Sequence, residues 1–315
     1  MKLSNWQAQA ENELKSVGIE AYKIEVKWLI EDILSFSPTH RMSLSKNQEE
    51  ITCTAEQILE LNRCVQARMR GVPLAYLLKT WHFWDFELKS DHRALVPRSD
   101  TERLVETAVK SLKQLLKNGD HSPKIIEIGT GTGCISIALA REIPQAKILA
   151  LDLSLDALSL AQENIESLGL TNQIQLIHSD LFNAFGTYQK GNLIPFTNHA
   201  EPTEHPLIAL MGGKVDLVIS NPPYIQTDVI QSLDSSVKDF EPYMALDGGM
   251  DGLRLIEKIV DGAKSFLKAK GKLMFEIGFD QGLALDQLLK QANYQDVQII
   301  KDYGKQDRVA VGMMN

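Results

Sequence analysis

From residue 124 onward, short apolar runs alternate with longer amphipathic stretches, and this alternation restricts the possible folds more than any other feature. Lys124–Ile128, residues 147–151, Ile174–His178, Val215–Ser220 and residues 272–277 read as strands. Residues 134–141 read as a helix between them. So does a stretch from Leu155, with Ser154 as its cap and Gly169 as its stop. Residues 253–268, stopped by Gly271, and residues 280–292 read as two more. Such alternation implies an α/β fold: a largely parallel sheet with helices on both faces. Residues 297–300 and 308–311 end the pattern. The link between them is too short for a helical crossover, so these two strands are expected to be antiparallel.

The first 80 residues have a different character and read as a separate helical domain. Ala21, Ile24, Val26, Trp28, Leu29, Ile33 and Leu34 recur at roughly helical spacing, and Pro38 ends that helix. A second helix opens at Thr54, which with Gln57 forms a capping-box pattern. It runs through Ile58, Leu61, Val65 and Met69 to a stop at Gly71 and Pro73. In residues 81–98, Trp81, Phe83, Trp84, Phe86, Leu88, Leu95 and Val96 surround a polar turn at Ser90-Asp91-His92, the pattern of a β-hairpin joining two domains. Ser99 or Asp100 is placed to cap the following helix, whose apolar positions are Leu104, Val105, Ala108, Val109, Leu112 and Leu116. Residues 183–214, broken by Gly186, Gly191, Pro195, Pro202, Pro206, Gly212 and Gly213, read as a long mobile loop.

Composition excludes several classes. No run approaches the roughly 18 uninterrupted apolar residues of a membrane span, and the first residues have no apolar signal core, so a cytosolic protein is expected. Cys53, Cys64 and Cys134 are widely spaced, and the histidines fall in no ligand pattern, which argues against a disulfide framework and a metal site. Net charge is −8, and residues 1–80 balance, so the whole deficit lies in the remainder. An acidic catalytic part counts against nucleic acid as the main partner.

Two motifs carry chemistry. The first is Asn221-Pro222-Pro223-Tyr224, directly after the strand Val215–Ser220. Two prolines cannot continue a ladder, so the strand stops and a rigid turn stands at its carboxyl end, where open α/β sheets bind ligands. Asn221 offers an amide, Pro222 a carbonyl outside any ladder and Tyr224 an aromatic face, a set able to hold a planar amide or amino group. The second is Glu127-Ile128-Gly129-Thr130-Gly131-Thr132-Gly133, closing the first strand of the alternating region. A dinucleotide fingerprint would need glycine where Cys134 stands, and no Gly-Lys-Ser/Thr follows. Asp152 ends the next strand, placed to accept from ribose hydroxyls, and Asp180 ends the one after, beside apolar Leu181 and Phe182. A ligand with ribose and adenine but no pyrophosphate is S-adenosylmethionine. Its cationic sulfonium suits a site ringed by Glu127, Asp152 and Asp180.

These residues carry a resemblance. The chain resembles the bacterial protein-(glutamine-N5) methyltransferases that modify class I peptide-chain release factors. The matching stretches are Gly71-Val72-Pro73-Leu74-Ala75-Tyr76-Leu77, residues 96–102, 127–133 and 221–225, Val237-Lys238-Asp239-Phe240-Glu241-Pro242, residues 245–252, Glu276-Ile277-Gly278 and Asp307-Arg308-Val309. Val72 and Ser99 stand where the family usually has Glu and Pro, Lys305-Gln306 replaces a usual Gly-Arg, Leu181 replaces what can be an aromatic residue, and the loop 183–214 is longer than expected.

The resemblance implies a helical substrate-docking domain at 1–80 and a hairpin linker at 81–98. The rest of 81–315 would be a Rossmann-like methyltransferase domain with a seven-stranded, mostly parallel sheet. It implies S-adenosylmethionine at Gly129, Thr130, Gly131, Thr132, Gly133, Asp152, Leu181 and Asn221. It also implies a substrate glutamine, that of a Gly-Gly-Gln motif, held by Asn221, Pro222, Pro223 and Tyr224. Asn221 and Pro222 are expected to be catalytic: accepting both N–H bonds of the amide would aim its lone pair at the methyl group. A class I release factor is the expected partner and a monomer the expected form. The rivals are a glutamine methyltransferase for a ribosomal protein, an adenine-N6 methyltransferase of nucleic acid, and a module that only senses S-adenosylmethionine.

Overall fold

A computed structural model describes residues 2–34, 52–117, 119, 122–185, 187–189, 192–194 and 215–315. The chain divides into two compact units, Met1–Trp81 with Asp234–Glu241, and His82–Leu233 with Pro242–Asn315.

The first unit contains α1 (Leu3–Ser16), α2 (Tyr22–Ile33), α3 (Ala55–Met69) and the short α4 (Leu74–Leu78). Leu3, Trp6, Leu14, Leu29, Ile30 and Leu61 form its core. The capping box at α3 is complete: Gln57 N–H donates to Thr54 Oγ1 at 3.2 Å, and Thr54 N–H donates to Gln57 Oε1 at 2.9 Å. α2 ends at Ile33, and Pro38 lies outside the described residues. Ile24 and Trp28, read as part of the apolar face of α2, are exposed, and Val26, Leu29 and Ile30 carry the burial. α1, not singled out in the sequence, buries Leu3, Trp6, Ala10 and Leu14, a narrow helical stripe diluted by polar neighbours. Asp234–Glu241, distant in sequence, joins this unit at Gly71, where a Cβ would lie 2.9 Å from Ser235 Oγ.

β1 (Thr80–Phe83) spans the division at Trp81, and β2 (Phe86–Lys89) follows in the second unit. The hairpin turns at Trp84-Asp85, not at Ser90-Asp91-His92 as expected. Trp84 adopts φ 57°, and its N–H donates to Glu102 Oε1 at 3.0 Å while its indole donates to Glu142 Oε1 at 3.1 Å. Tertiary partners thus hold a turn that has no glycine or proline. Next come α5 (Thr101–Lys117), β3 (Lys124–Ile128), α6 (Cys134–Glu142), β4 (Lys147–Asp152), α7 (Leu155–Ser167) and β5 (Ile174–His178). Ser154 caps α7 as expected, accepting from Ala157 N–H. Of 183–214, only parts are described: a single turn at Asn183–Phe185 and a small antiparallel ladder between Thr187–Gln189 and Asn192–Ile194, regular structure where only loop was expected. The rest lies outside the described residues.

The chain continues through β6 (Val215–Ser220), β7 (Ile225–Gln226), β8 (Asp247–Gly249), α8 (Arg254–Ala263), β9 (Leu267–Glu276), α9 (Gly282–Gln291), β10 (Gln295–Lys301) and β11 (Asp307–Met313). The helix expected over 253–268 is shorter, because Leu267 already pairs with Val215 in the sheet. Gly271 is not a helix stop. It lies in β9 between Leu267 and Lys272, where the register with β6 shifts, and a Cβ there would sit 3.0 Å from Val215 O.

Seven strands form one sheet in the order β10-β11-β9-β6-β3-β4-β5. β9, β6, β3, β4 and β5 run parallel, β11 is antiparallel to β9, and β10 is antiparallel to β11 as expected. Alternate residues of each strand face opposite sides. Ile125, Ile148 and Leu217 pack with Leu104 of α5 and Ile137 of α6, whereas Ile126, Leu149 and Val218 pack with Ile259 of α8 and Leu285 of α9. The chain leaves β3 toward β4 and β5, then returns to β6 on the other side. The carboxyl ends of β3 and β6 therefore flank the reversal of strand order, where such sheets open a crevice.

Candidate active site

The turn after β3 needs glycine because Gly129, Gly131 and Gly133 have φ of 72°, 55° and 86°. The N–H groups of Gly129 and Thr130 donate to Leu151 O at 2.8 and 3.0 Å, and Gly131 N–H donates to Asp152 Oδ2 at 2.9 Å. Asp152 Oδ1 accepts from Ser154 N–H at 2.9 Å. Burial pushes the Asp152 carboxyl above its ordinary range, and these backbone donors oppose that shift. Each oxygen keeps a lone pair for a further donor. Asp180 is exposed at the end of the β5 segment. Its neighbour Leu181 is held at φ 50°, with Ser179 Oγ donating to Leu181 O at 2.7 Å.

Gly129, Thr130, Gly131, Thr132, Asp152, Asp180, Leu181, Asn221, Pro222 and Pro223 line a single cavity. Residues 93–98, Thr101, Pro242, Met244, Ala245, Leu255 and Ile259 are among the others that line it. Three of the expected site residues lie elsewhere. Glu127 is fully buried beneath the turn, accepting from Thr130 Oγ1 at 2.9 Å and from Ser136 Oγ. Burial pushes its carboxyl up to about 8, and its place beneath the turn separates it from the cavity wall. Gly133 precedes α6 at φ 86° and lies outside the cavity lining, and a Cβ there would make only ordinary contacts with Ile137 and Ala161. The Tyr224 hydroxyl donates to Glu276 Oε1 at 3.0 Å, away from the cavity wall.

The Asn221-Pro222-Pro223-Tyr224 turn is clamped. Ser220 Oγ donates to Ile128 O at 2.8 Å, joining the ends of β6 and β3. Gln281 Nε2 donates to Tyr224 O at 3.1 Å and to Gly252 O at 3.3 Å. A Cβ at Gly248 would lie 2.9 Å from Pro223 O, and one at Gly252 only 2.3 Å from Tyr224 O, so the turn rests directly on a glycine-bearing backbone. Asn221 Nδ2 donates to Thr101 Oγ1 at 3.1 Å, and Thr101 Oγ1 donates to Glu276 Oε2 at 2.6 Å.

Thr101, Glu276 and the wall 93–98 were not expected as site residues. One signal existed for Glu276: a carboxylate ending the apolar run Leu273-Met274-Phe275 must find partners once buried.

The cavity suits S-adenosylmethionine on its own chemistry. Asp152 retains acceptor capacity for vicinal hydroxyls, Asp180 stands beside Leu181 for an amino-substituted ring, and the glycine turn leaves room, with only Ala94 Cβ, at 3.9 Å, near a Cβ placed on Gly131.

Comparison with known proteins finds relatives over nearly the whole chain. Residues 102–201 match the family model of the methyltransferase small domain, and residues 5–78 match that of the PrmC N-terminal domain. The release factor glutamine methyltransferase of Agrobacterium fabrum is 31% identical over 300 residues, covering 95% of this chain and 93% of the relative. That of Moorella thermoacetica is 32% identical over 309 residues, covering 98% and 97%. That of Escherichia coli is 31% identical over 312 residues, covering 99% of each. Among solved structures, the hMettl16 catalytic domain in complex with a MAT2A 3′UTR hairpin superposes with a TM-score of 0.51 at 15% identity, over 83% of this chain and 82% of that one, a likeness of fold alone. With its fold, its paired motifs and its near-full-length relatives in agreement, the chain belongs to the release factor glutamine methyltransferase family.

Proposed function

We propose that this chain methylates the side-chain amide nitrogen (N5) of the glutamine in the Gly-Gly-Gln motif of class I peptide-chain release factors. The observation that supports it most is the orientation of Asn221. Its nitrogen is engaged by Thr101 at 3.1 Å, which leaves Oδ1 to accept from a ligand in the cavity that Asn221 lines. Oδ1 and the Pro222 carbonyl then accept the two N–H bonds of a substrate amide. S-adenosylmethionine, the methyl donor, supplies an electrophilic methyl group on a sulfonium when bound.

An amide nitrogen is a poor nucleophile because its lone pair is delocalised into the carbonyl. Two fixed acceptors hold the nitrogen in line and stabilise the positive charge that develops on it. The lone pair so held would take the methyl group that S-adenosylmethionine would supply, and one of the nitrogen's protons would leave to water. Asp152 holds ribose hydroxyls in this reading, and Asp180 with Leu181 holds the adenine. Pro222 and Pro223 give a narrow, rigid wall that a Gly-Gly-Gln loop, with no side chains beside the glutamine, can enter. The helical unit provides a second contact for the folded release factor. The activity belongs to the cytoplasm and to a monomer. Among the described residues no helix is long and apolar enough to cross a membrane.

The test is incubation with labelled S-adenosylmethionine and, separately, an intact release factor, a ribosomal protein mixture and DNA, with mass spectrometry to locate the label. Label on the glutamine of Gly-Gly-Gln is expected. Label on adenine, or on a glutamine outside that motif, overturns the reading.

A further inference from the structure

Four side chains of the second unit form an unbroken run of hydrogen bonds. Asn221 Nδ2 donates to Thr101 Oγ1 at 3.1 Å, Thr101 Oγ1 donates to Glu276 Oε2 at 2.6 Å, and Tyr224 Oη donates to Glu276 Oε1 at 3.0 Å. Thr101 is 2% exposed and Glu276 1%, so the bond between them is shielded from solvent.

A hydroxyl has one proton to give. When Thr101 gives it to an ionised Glu276, its oxygen can only accept from Asn221. The amide nitrogen is then committed to Thr101, and Oδ1 is left to accept from a ligand. If Glu276 holds a proton and donates it to Thr101, the hydroxyl proton must turn to Asn221. The amide then flips and presents Nδ2 to the cavity, a donor opposed to the donors of an incoming amide.

We propose that Thr101 and Glu276 are positioning residues for methyl transfer: ionised Glu276, acting through Thr101, orients the Asn221 amide so that its oxygen receives the substrate. This rests on the reading of Asn221 as acceptor given above.

The groups facing Glu276 come from several elements. Burial raises its pKa, the Thr101 and Tyr224 hydroxyls and Arg308 of β11 lower it, and Asp100 ahead of α5 raises it, leaving a net upward shift. Arg308 is itself paired with Asp100 at 3.3 Å and Asp302 at 3.1 Å. The Cys134 thiol of α6, pushed up to about 12 chiefly by burial, stays neutral. Turnover therefore falls as pH drops through a Glu276 titration that lies above the ordinary carboxylate range.

The experiment measures kcat against pH with an intact release factor at saturation, and S-adenosylmethionine affinity by calorimetry, for Thr101→Val, Thr101→Ser, Glu276→Gln and Asn221→Ala. Thr101→Val should lower kcat about tenfold or more, with cofactor affinity unchanged, as for the loss of one fixed polar contact. Thr101→Ser keeps the hydroxyl and should recover most of the loss. Glu276→Gln keeps an acceptor for Thr101 but has no titration, so its profile should lack the acid limb of the wild type. Wild-type kcat in Thr101→Val, a serine variant as impaired as the valine one, or an acid limb surviving in Glu276→Gln overturns the proposal. If the valine variant does not fold, the Glu276→Gln profile decides alone. Undiminished turnover in Asn221→Ala would instead overturn the acceptor reading beneath it. An inactive Asn221→Ala beside an unaffected Thr101→Val would remove only the positioning role.

Discussion

Asp152 accepts the Gly131 N–H on Oδ2 at 2.9 Å, so the carboxylate ending β4 and the glycine turn ending β3 form one piece. Replacing Asp152 therefore removes the carboxylate proposed to hold ribose hydroxyls and loosens the turn together. Asp152→Ala should weaken S-adenosylmethionine binding by about 10- to 100-fold, the range for one or two charge-assisted hydrogen bonds. Calorimetric titration measures this, and unchanged affinity would exclude Asp152 from the cofactor site.

Gly252→Ala tests the clamp under the Asn221-Pro222-Pro223-Tyr224 turn. Gly252 has φ +75°, and its Cβ would lie 2.3 Å from Tyr224 O, so the turn must move. Stability should fall by about 1–3 kcal/mol from strain and overpacking. Turnover should fall more than cofactor affinity, because Tyr224 is continuous with Asn221 and Pro222, the residues proposed to hold the substrate amide. Denaturant melts together with the ratio of kcat to cofactor Kd check both parts.

Glu127 predicts a pH dependence of stability. Burial, the largest cause, pushes its folded pKa up to about 8. In the unfolded chain it ionises near 4.3, roughly the ordinary value for Glu. Between those two pH values the folded state holds a proton that the unfolded state has released. The Glu127 contribution to stability is thus fully present below the lower value and is lost as pH rises to the upper one. Glu127→Gln removes the titration. Its melting temperature relative to wild type should rise between pH 5 and pH 8. A constant difference across that window would show that Glu127 is ionised in the folded protein.

Thr54→Ala breaks the capping box of α3 and should destabilise the helical unit by about 1 kcal/mol. Cofactor affinity should not change, because the cavity is built entirely from the second unit. Urea melts followed by far-ultraviolet circular dichroism, with calorimetry in parallel, separate the two effects.

What was legible in the sequence was what neighbouring residues decide. Thr54 and Gln57 cap a helix because each side chain accepts from the other's backbone N–H across one turn. The strand Val215–Ser220 stops at Asn221 because two prolines follow it. Gly129, Gly131 and Gly133 announce a turn that only glycine tolerates. The strand and helix alternation sufficed for the parallel sheet and its antiparallel end.

Tertiary structure decided whatever depends on partners far along the chain. The hairpin turns at Trp84 because Glu102 and Glu142 receive its N–H groups. Leu267 is in a strand, not a helix, because Val215 lies beside it. Glu127 and Asp152 are both carboxylates near strand ends. Only packing buries the first under Thr130 and Ser136 and leaves the second at the open cavity. Asn221 is oriented by Thr101, 120 residues earlier. Backbone propensity and turn chemistry act over a few residues, so the sequence by itself determines elements and motifs. Burial, ionisation and hydrogen-bond direction are set by whichever atoms the fold brings within about 3 Å, and no local pattern encodes those neighbours.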